Sequence, residues 1–315
     1  MPDPIQVSPP GDPALPPILP DLVIAGPTAS GKSELATALA EAAGAEIVGA
    51  DAFQIYSGLP LLTAQPSPEQ LQRVPHHLVG ILPLEESLDV ARYLQMARQK
   101  LLEIRARGNR SLLVGGTGFY IRTVLFGLPP GLPPANPDLR AELESLPLPV
   151  LQERLAQRDP EAAGQIDLQN PRRLVRALEV CIQSGRPFSS FRQTRPWRDP
   201  LPAGLWVHPP RDHLAERIQR RTLTMFDSGV ESEVRQNLEK CGITAKQTLG
   251  LSEVADYLEG RLSRTQAIAS IAQATRQYAK RQETWFRKET ALRPVAPEDA
   301  LSLGHALLQR PREGP

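Results

Sequence analysis

The chain has 315 residues, 41% hydrophobic and 23% charged, with a formal net charge of +1, a globular composition sufficient for two modest cores. No apolar run approaches the roughly 20 residues of a membrane-spanning helix. The two cysteines, Cys181 and Cys241, lack paired or metal-ligand spacing, which excludes a disulfide scaffold and a zinc site and fits a reducing cytoplasm.

The first twenty residues hold eight prolines and no basic residue, unlike a signal or transit peptide, and residues 1–20 are expected to form a disordered tail. An apolar run from Leu22 to Ala25 leads into Gly26-Pro27-Thr28-Ala29-Ser30-Gly31-Lys32-Ser33. A helical pattern from Glu34 to Ala43 follows, with Leu35, Ala36, Leu39 and Ala43 on one face. Strand, glycine-rich turn and helix form the context in which GxxxxGK[ST] binds phosphate. Inward backbone N–H groups and the helix N-terminus cradle the oxygens, Lys32 adds a formal charge, and Ser33 offers a hydroxyl to Mg²⁺.

A second apolar run, Glu46 to Ala50, precedes DAFQIY, which places Asp51, Gln54 and two aromatics after a strand. In an open parallel sheet, the loops at the carboxyl ends converge on the ligand. Asp51 reads equally as a Mg²⁺ or water ligand of a P-loop kinase, as a strand-end cap, or as a general base. His76 and His77, adjacent in an extended segment, point to opposite faces and cannot chelate one ion. A helical pattern from Val90 to Arg107 aligns Tyr93, Leu94, Ala97 and Leu101. The run Leu112 to Val114 then leads into GGTGFY, which carries Thr117.

Alternating strands and helices define an α/β fold, a parallel sheet with helices about it. The alternation stops at GLPPGLPPANPD, residues 127–138, whose five prolines and two glycines mark a linker. Only helical patterns follow, PRRLVRALEVCIQSGR being the clearest, until a strand run returns from Leu205 to His208. Residues 128–200 therefore read as a helical insertion between two parts of one core, 21–127 and 201–293. The second part is mostly helical, and 294–315 are expected to be a tail. Within it, Arg217 and Arg221 fall one turn apart on one helix face.

Charge is concentrated rather than spread. Residues 172–198 carry seven arginines (172, 173, 176, 186, 192, 195 and 198) against Glu179, and residues 261–288 carry seven basic residues against Glu283. Arginine outnumbers lysine 30 to 6, which suits bidentate phosphate recognition and equally a GC-rich coding sequence. In ATRQYAKRQETWFRK, Arg276, Lys280 and Arg287 share one stripe, while Ile271, Tyr278, Gln282 and Trp285 form a packing stripe. Two basic faces suit a nucleic-acid backbone, with a solvated surface as the even alternative.

The loop GPTASGKS, DAFQIY with TAQP after it, PHHL, LLVGGTGFY, NPRRLVRALEV with SGR, RIQRRTLTMFDSGVESEV and ATRQYAKRQETWFR together resemble the tRNA dimethylallyltransferases, also called tRNA isopentenyltransferases. They run in that family's order from residue 22 to residue 288. The resemblance implies a P-loop NTPase-like core, with transfer of a dimethylallyl group from dimethylallyl diphosphate to N6 of adenosine 37 in the anticodon stem-loop of tRNA. Gly26 to Ser33 would then hold the diphosphate, with Mg²⁺ at Ser33 and Arg221 assisting. Asp51 corresponds to the family's general base, and Thr117 would lie beside the reacting groups. The resemblance places tRNA against Asp51, Ala52, Phe53 and Gln54, against Arg172, Arg173, Leu174, Val175 and Arg176 of the insertion, and against Arg276, Lys280 and Arg281. Phe53, Tyr56, Phe119 and Tyr120 are its candidates for packing the flipped base or the prenyl chain. A cytoplasmic monomer that does not bind membranes is implied as well.

The chain departs from the family's usual residues in three places. Asp51-Ala52 replaces Asp-Ser, Leu62-Thr63-Ala64-Gln65 replaces Gly-Thr-Ala-Lys, and Gly250-Leu251-Ser252 replaces Gly-Tyr-Lys/Arg. Two other readings of the phosphate loop are a small-molecule kinase with an arginine-bearing lid and a non-catalytic RNA-binding protein that keeps the loop as scaffold.

Overall fold

A computed structural model describes residues 18–191 and 202–311. The proline-rich segment 1–17, Arg192, Arg195 and Arg198 of the first basic stretch, and residues 312–315 lie outside the described residues.

Six parallel strands form one sheet in the order β3-β2-β4-β1-β5-β6, namely β1 Leu22–Ala25, β2 Ala45–Gly49, β3 His76–His77, β4 Arg110–Gly115, β5 Ala203–Val207 and β6 Arg293–Val295. In the central register Ile24 lies between Val114 and Leu205. β1 and β2 are buried along their whole length, as near-continuous apolar strands covered on both faces must be. On one side Leu22, Ile24, Leu112, Val114, Leu205 and Val207 pack with Ala36, Leu39 and Ala40 of the helix Lys32–Ala43. That helix starts after Gly31 at φ +91° and stops at Gly44 at φ +57°, both left-handed.

The four inner strands follow the four apolar runs read from the sequence. The two edge strands do not, because they have only two and three residues and too little pattern to detect. The expected tail at 294–315 is corrected for its described part: Arg293–Val295 closes the sheet edge and Pro297–Leu308 is a helix. Pro294 and Pro297 look like breakers in sequence. An edge strand tolerates a proline, however, and the first helical turn favours one. Ala300, Leu303, Leu307 and Leu308 of this helix join the core, and a Cβ added at Gly304 would lie 2.5 Å from Leu39 Cδ1. The two helices are therefore in near-backbone contact.

The two histidines have separate partners. His77 Nε2 lies 2.6 Å from the Glu46 carboxylate, whereas His76 Nδ1 lies 2.8 Å from the Val74 carbonyl. Arg107 donates to Glu46 at 3.0 and 2.7 Å, and Asn109 donates at 2.8 Å. Burial raises the pKa of this carboxyl, but these hydrogen bonds outweigh it and hold the group at about 2.

Residues 127–191 form a second compact unit. Its helices Pro137–Glu144, Leu148–Arg158 and Pro171–Ser184 share a core of Leu143, Leu151, Leu155, Leu174, Val175, Ala177 and Leu178. Glu179 is fully buried there and accepts from the Asn136 amide, Arg140 and Arg176. Cys181 and Cys241 are buried free thiols. Among the described residues no helix is long and apolar enough to cross a membrane.

Candidate active site

Three loops at the carboxyl end of the sheet and two helices build the site. The phosphate loop follows β1. Gly26 is obligatory there, since a Cβ would lie 2.7 Å from Ser30 Oγ and 3.0 Å from the Val207 carbonyl. Lys32 is half-buried, with its ammonium 3.3 Å from the Pro27 carbonyl. Burial lowers its pKa to about 8, with Asp51 opposing the shift and Arg221 adding to it. Ser30 Oγ is buried without a partner, and Ser33 is half-buried in the first helical turn.

DAFQIY follows β2. Asp51 Oδ1 accepts from the amides of Phe53 and Gln54 at 3.0 and 3.3 Å, which fixes the carboxylate by its own loop. GGTGFY follows β4. Thr117 Oγ1 accepts from the Ala52 amide at 3.0 Å, and the Thr117 amide donates to the Ala50 carbonyl at 3.1 Å, tying this loop to Asp51's.

The helix Arg211–Asp227, hereafter the arginine helix, directs both of its inner arginines at the phosphate loop. Arg221 Nη1 donates to Thr28 Oγ1 at 2.7 Å, and the Arg217 guanidinium stands 3.0 Å from the position of a Cβ on Gly31. Burial lowers the pKa of Arg221 and Asp51's charge raises it. The helix Arg264–Phe286, hereafter the long helix, closes the other side. Gln282 reaches both the phosphate loop and GGTGFY, and the Tyr278 hydroxyl interacts with Thr117 and Gln282. The indole of Trp285 covers Gly118, where a Cβ would approach to 2.2 Å.

Thr28, Asp51 and Arg221 face one open cleft. The rest of its wall is Phe53, Leu62, Ile218, Met225, Leu249 and Ile271, with four threonines and Tyr278. Sequence reasoning missed these aliphatic residues, which come from segments far apart and carry no local signal. It also left Tyr278 and Gln282 as packing residues. The glutamine within an otherwise apolar stripe was the available clue.

Among the expected aromatics, only Phe53 lines this cleft. Phe119 is half exposed, whereas Tyr56 is fully buried and Tyr120 stacks on Tyr93 at 3.9 Å, so both tyrosines belong to the core. One further expectation is corrected. Leu174 and Val175 are 0% and 2% exposed inside the helical unit, which leaves their side chains no surface for RNA. Arg176 is half-buried, donating to Glu179 at 2.6 Å and to the Pro133 carbonyl at 2.8 Å. Arg172 and Arg173 are exposed, as are Arg276, Lys280 and Arg281 on the long helix.

The substituted motif residues have local roles. Gln65 Nε2 donates to the carbonyls of Gln54 and Tyr56 at 2.9 and 2.6 Å, while Gln54 Nε2 donates to those of Thr63 and Ala64. Two loops are latched together by these amides. Leu62 lines the cleft, its amide capped at 2.8 Å by Glu233, and Leu251 is buried at the start of the helix Leu251–Leu258. Ser252 Oγ donates to Glu253 at 2.9 Å.

The family model described as IPP transferase matches residues 54–289. A curated tRNA dimethylallyltransferase of Myxococcus xanthus is 44% identical over 90% of this chain and 94% of its own length. One from Thermus thermophilus is 43% identical over 85% and 89%. Among solved structures, the tRNA isopentenylpyrophosphate transferase of Bacillus halodurans aligns with a TM-score of 0.65 at 31% identity, covering 91% of this chain and 96% of that one. With its parallel sheet, phosphate loop and these relatives taken together, the chain belongs to the IPP transferase family.

Proposed function

We propose that this protein transfers a dimethylallyl group from dimethylallyl diphosphate to N6 of adenosine 37 in the anticodon stem-loop of tRNA, acting as a cytoplasmic monomer. One observation carries the reading: Thr28 of the phosphate loop, Arg221, the loop-held carboxylate of Asp51 and a cluster of aliphatic side chains border a single cleft. The similarity to tRNA dimethylallyltransferases over most of the chain favours this reading over a small-molecule kinase.

The diphosphate sits in the loop Gly26 to Ser33 against Lys32 and Arg221. Arg221 already occupies Thr28 Oγ1 as an acceptor, so the threonine's hydrogen is left for an oxygen of the leaving group. The aliphatic wall takes the five-carbon chain and keeps water from it. As the carbon–oxygen bond to diphosphate breaks and the carbon–nitrogen bond to N6 forms, the N6 proton passes to Asp51 and pyrophosphate leaves. Thr117 holds Asp51's loop through the Ala52 amide. Among the described residues no group of three His, Cys, Asp or Glu could cage a metal ion, whereas Ser33 presents one half-buried hydroxyl beside the cradle. That donor set fits Mg²⁺, which takes most of its ligands from phosphate and water and supplies charge neutralisation on the diphosphate. Arg172, Arg173, Arg276, Lys280 and Arg281 supply positive charge for the RNA backbone.

Incubating the protein with unmodified tRNA and labelled dimethylallyl diphosphate, with no nucleoside triphosphate, is expected to label adenosine 37. Well-folded protein that labels no tRNA, or that instead moves the γ-phosphate of ATP to a metabolite, would refute the reading.

A further inference from the structure

Gln282 is 5% exposed, and a buried glutamine has to find partners for both ends of its amide. It finds them in two loops far away in sequence. Oε1 accepts from the Thr28 amide at 2.8 Å, and Nε2 donates to the Gly116 carbonyl at 2.9 Å. The orientation of the amide follows from its neighbours, since a backbone N–H stands on one side and a carbonyl on the other. Gly116 permits the approach, because a Cβ there would come within 2.4 Å of Nε2.

The amides of a phosphate loop form an anion-binding concavity. Here one of them is used as an anchor. Thr28 is thereby held twice, its backbone by the long helix and its Oγ1 by the arginine helix at 2.7 Å. From Gly116 the connection continues one residue to Thr117, whose Oγ1 takes the Ala52 amide at 3.0 Å, next to Asp51. One side chain thus joins the leaving-group cradle to the loop that orients the proton acceptor. Binding of either substrate alone does not require that separation to be set, but the transfer step does, because both groups must meet the same carbon–nitrogen pair.

We propose that Gln282 is a positioning residue that sets the distance between the diphosphate cradle and Asp51, so that it governs turnover rather than substrate affinity; this rests on the prenyl transfer proposed above. The test uses the full chain with tRNA and dimethylallyl diphosphate, rates being normalised to the active-site concentration from a single-turnover burst. The unsubstituted protein must first label tRNA; if it does not, the proposed function fails and not the role of Gln282. Gln282→Met keeps the volume and removes both hydrogen bonds. It is expected to lower kcat by about 10²-fold while KM for dimethylallyl diphosphate and Kd for inorganic pyrophosphate stay within about threefold.

Gln282→Glu supplies a readout that a merely structural role would not move. When protonated, its carboxyl accepts from Thr28 and donates to the Gly116 carbonyl; when ionised, it repels that carbonyl. The ratio of its kcat to that of the unsubstituted protein is expected to fall as pH rises from 6 to 9, by about tenfold, while the ratio for Gln282→Met stays flat. A Met variant that turns over within threefold of the parent would overturn the proposal. So would a loss carried by KM and Kd with kcat intact, or a Glu ratio that does not change with pH. If Gln282→Met does not fold, the pH dependence of Gln282→Glu decides.

Discussion

Lys32 gives the most quantitative prediction. With a pKa of about 8 in the ligand-free protein, it is poised where modest changes in pH alter its charge. Burial favours the neutral amine, and bound pyrophosphate, carrying several negative charges within the same loop, favours the ammonium. Binding above pH 8 must therefore take up a proton. The charged fraction of Lys32 falls from about nine-tenths at pH 7 to about one-tenth at pH 9, so pyrophosphate affinity is expected to drop roughly tenfold, or about 1.4 kcal/mol. Isothermal titration calorimetry at both pH values, in buffers of different ionisation enthalpy, gives the affinity and the proton count together. Lys32→Met titrated in parallel cancels the ionisation of pyrophosphate itself. Asp51 is the charge that holds the pKa up, so in Asp51→Asn the fall in affinity should begin at lower pH. A Lys32→Met protein with the same pH dependence as its parent, or binding at pH 9 without proton uptake beyond that of the Met variant, would refute this account.

Asp51→Asn is expected to leave pyrophosphate binding at pH 7 nearly unchanged and to reduce labelling of tRNA by about 10² or more, and equal rates in the two proteins would remove Asp51 from the mechanism. Leu249→Trp, which fills the aliphatic part of the cleft, should raise KM for dimethylallyl diphosphate by at least about tenfold with no change in Kd for pyrophosphate. A parallel rise in both constants would show that the wall does not hold the chain. Glu46 has its pKa lowered from 4.5 to about 2, so its contribution to stability is complete above pH 4.5 and is lost as pH falls toward 2. Acid unfolding followed by circular dichroism should accordingly be shallower in that window for Glu46→Gln, which lacks the titrating group, and an unchanged slope would discount this network.

The inner strands and the phosphate loop were legible because each is encoded locally, as a buried run and a glycine spacing; an acid at a strand end located Asp51, whereas only the family resemblance gave it the role of base. The cleft wall was not, since Leu62, Ile218, Leu249 and Ile271 become neighbours only through the fold. Leu174 and Val175 illustrate the opposite failure. The segment PRRLVRALEV alternates arginines with aliphatics at helical spacing, so a match to the whole segment says nothing about which side faces a ligand; burial divides it cleanly. Gln282 was visible as a polar residue in a packing stripe, yet only its partners reveal what it joins.

The strand order also bears on how the chain folds as it leaves the ribosome. β1 is made first, yet it lies between β4 and β5, and β5 follows the whole helical unit in sequence. Until Ala203–Val207 has been synthesised, one side of β1 remains an unpaired edge of apolar residues beside a phosphate loop that still lacks Arg221 and Gln282. The nascent protein therefore passes through a long interval in which its most conspicuous motif is complete in sequence and unsupported in space. Ribosome-stalled chains ending before residue 203 should bind pyrophosphate poorly and recruit chaperones that recognise apolar edges.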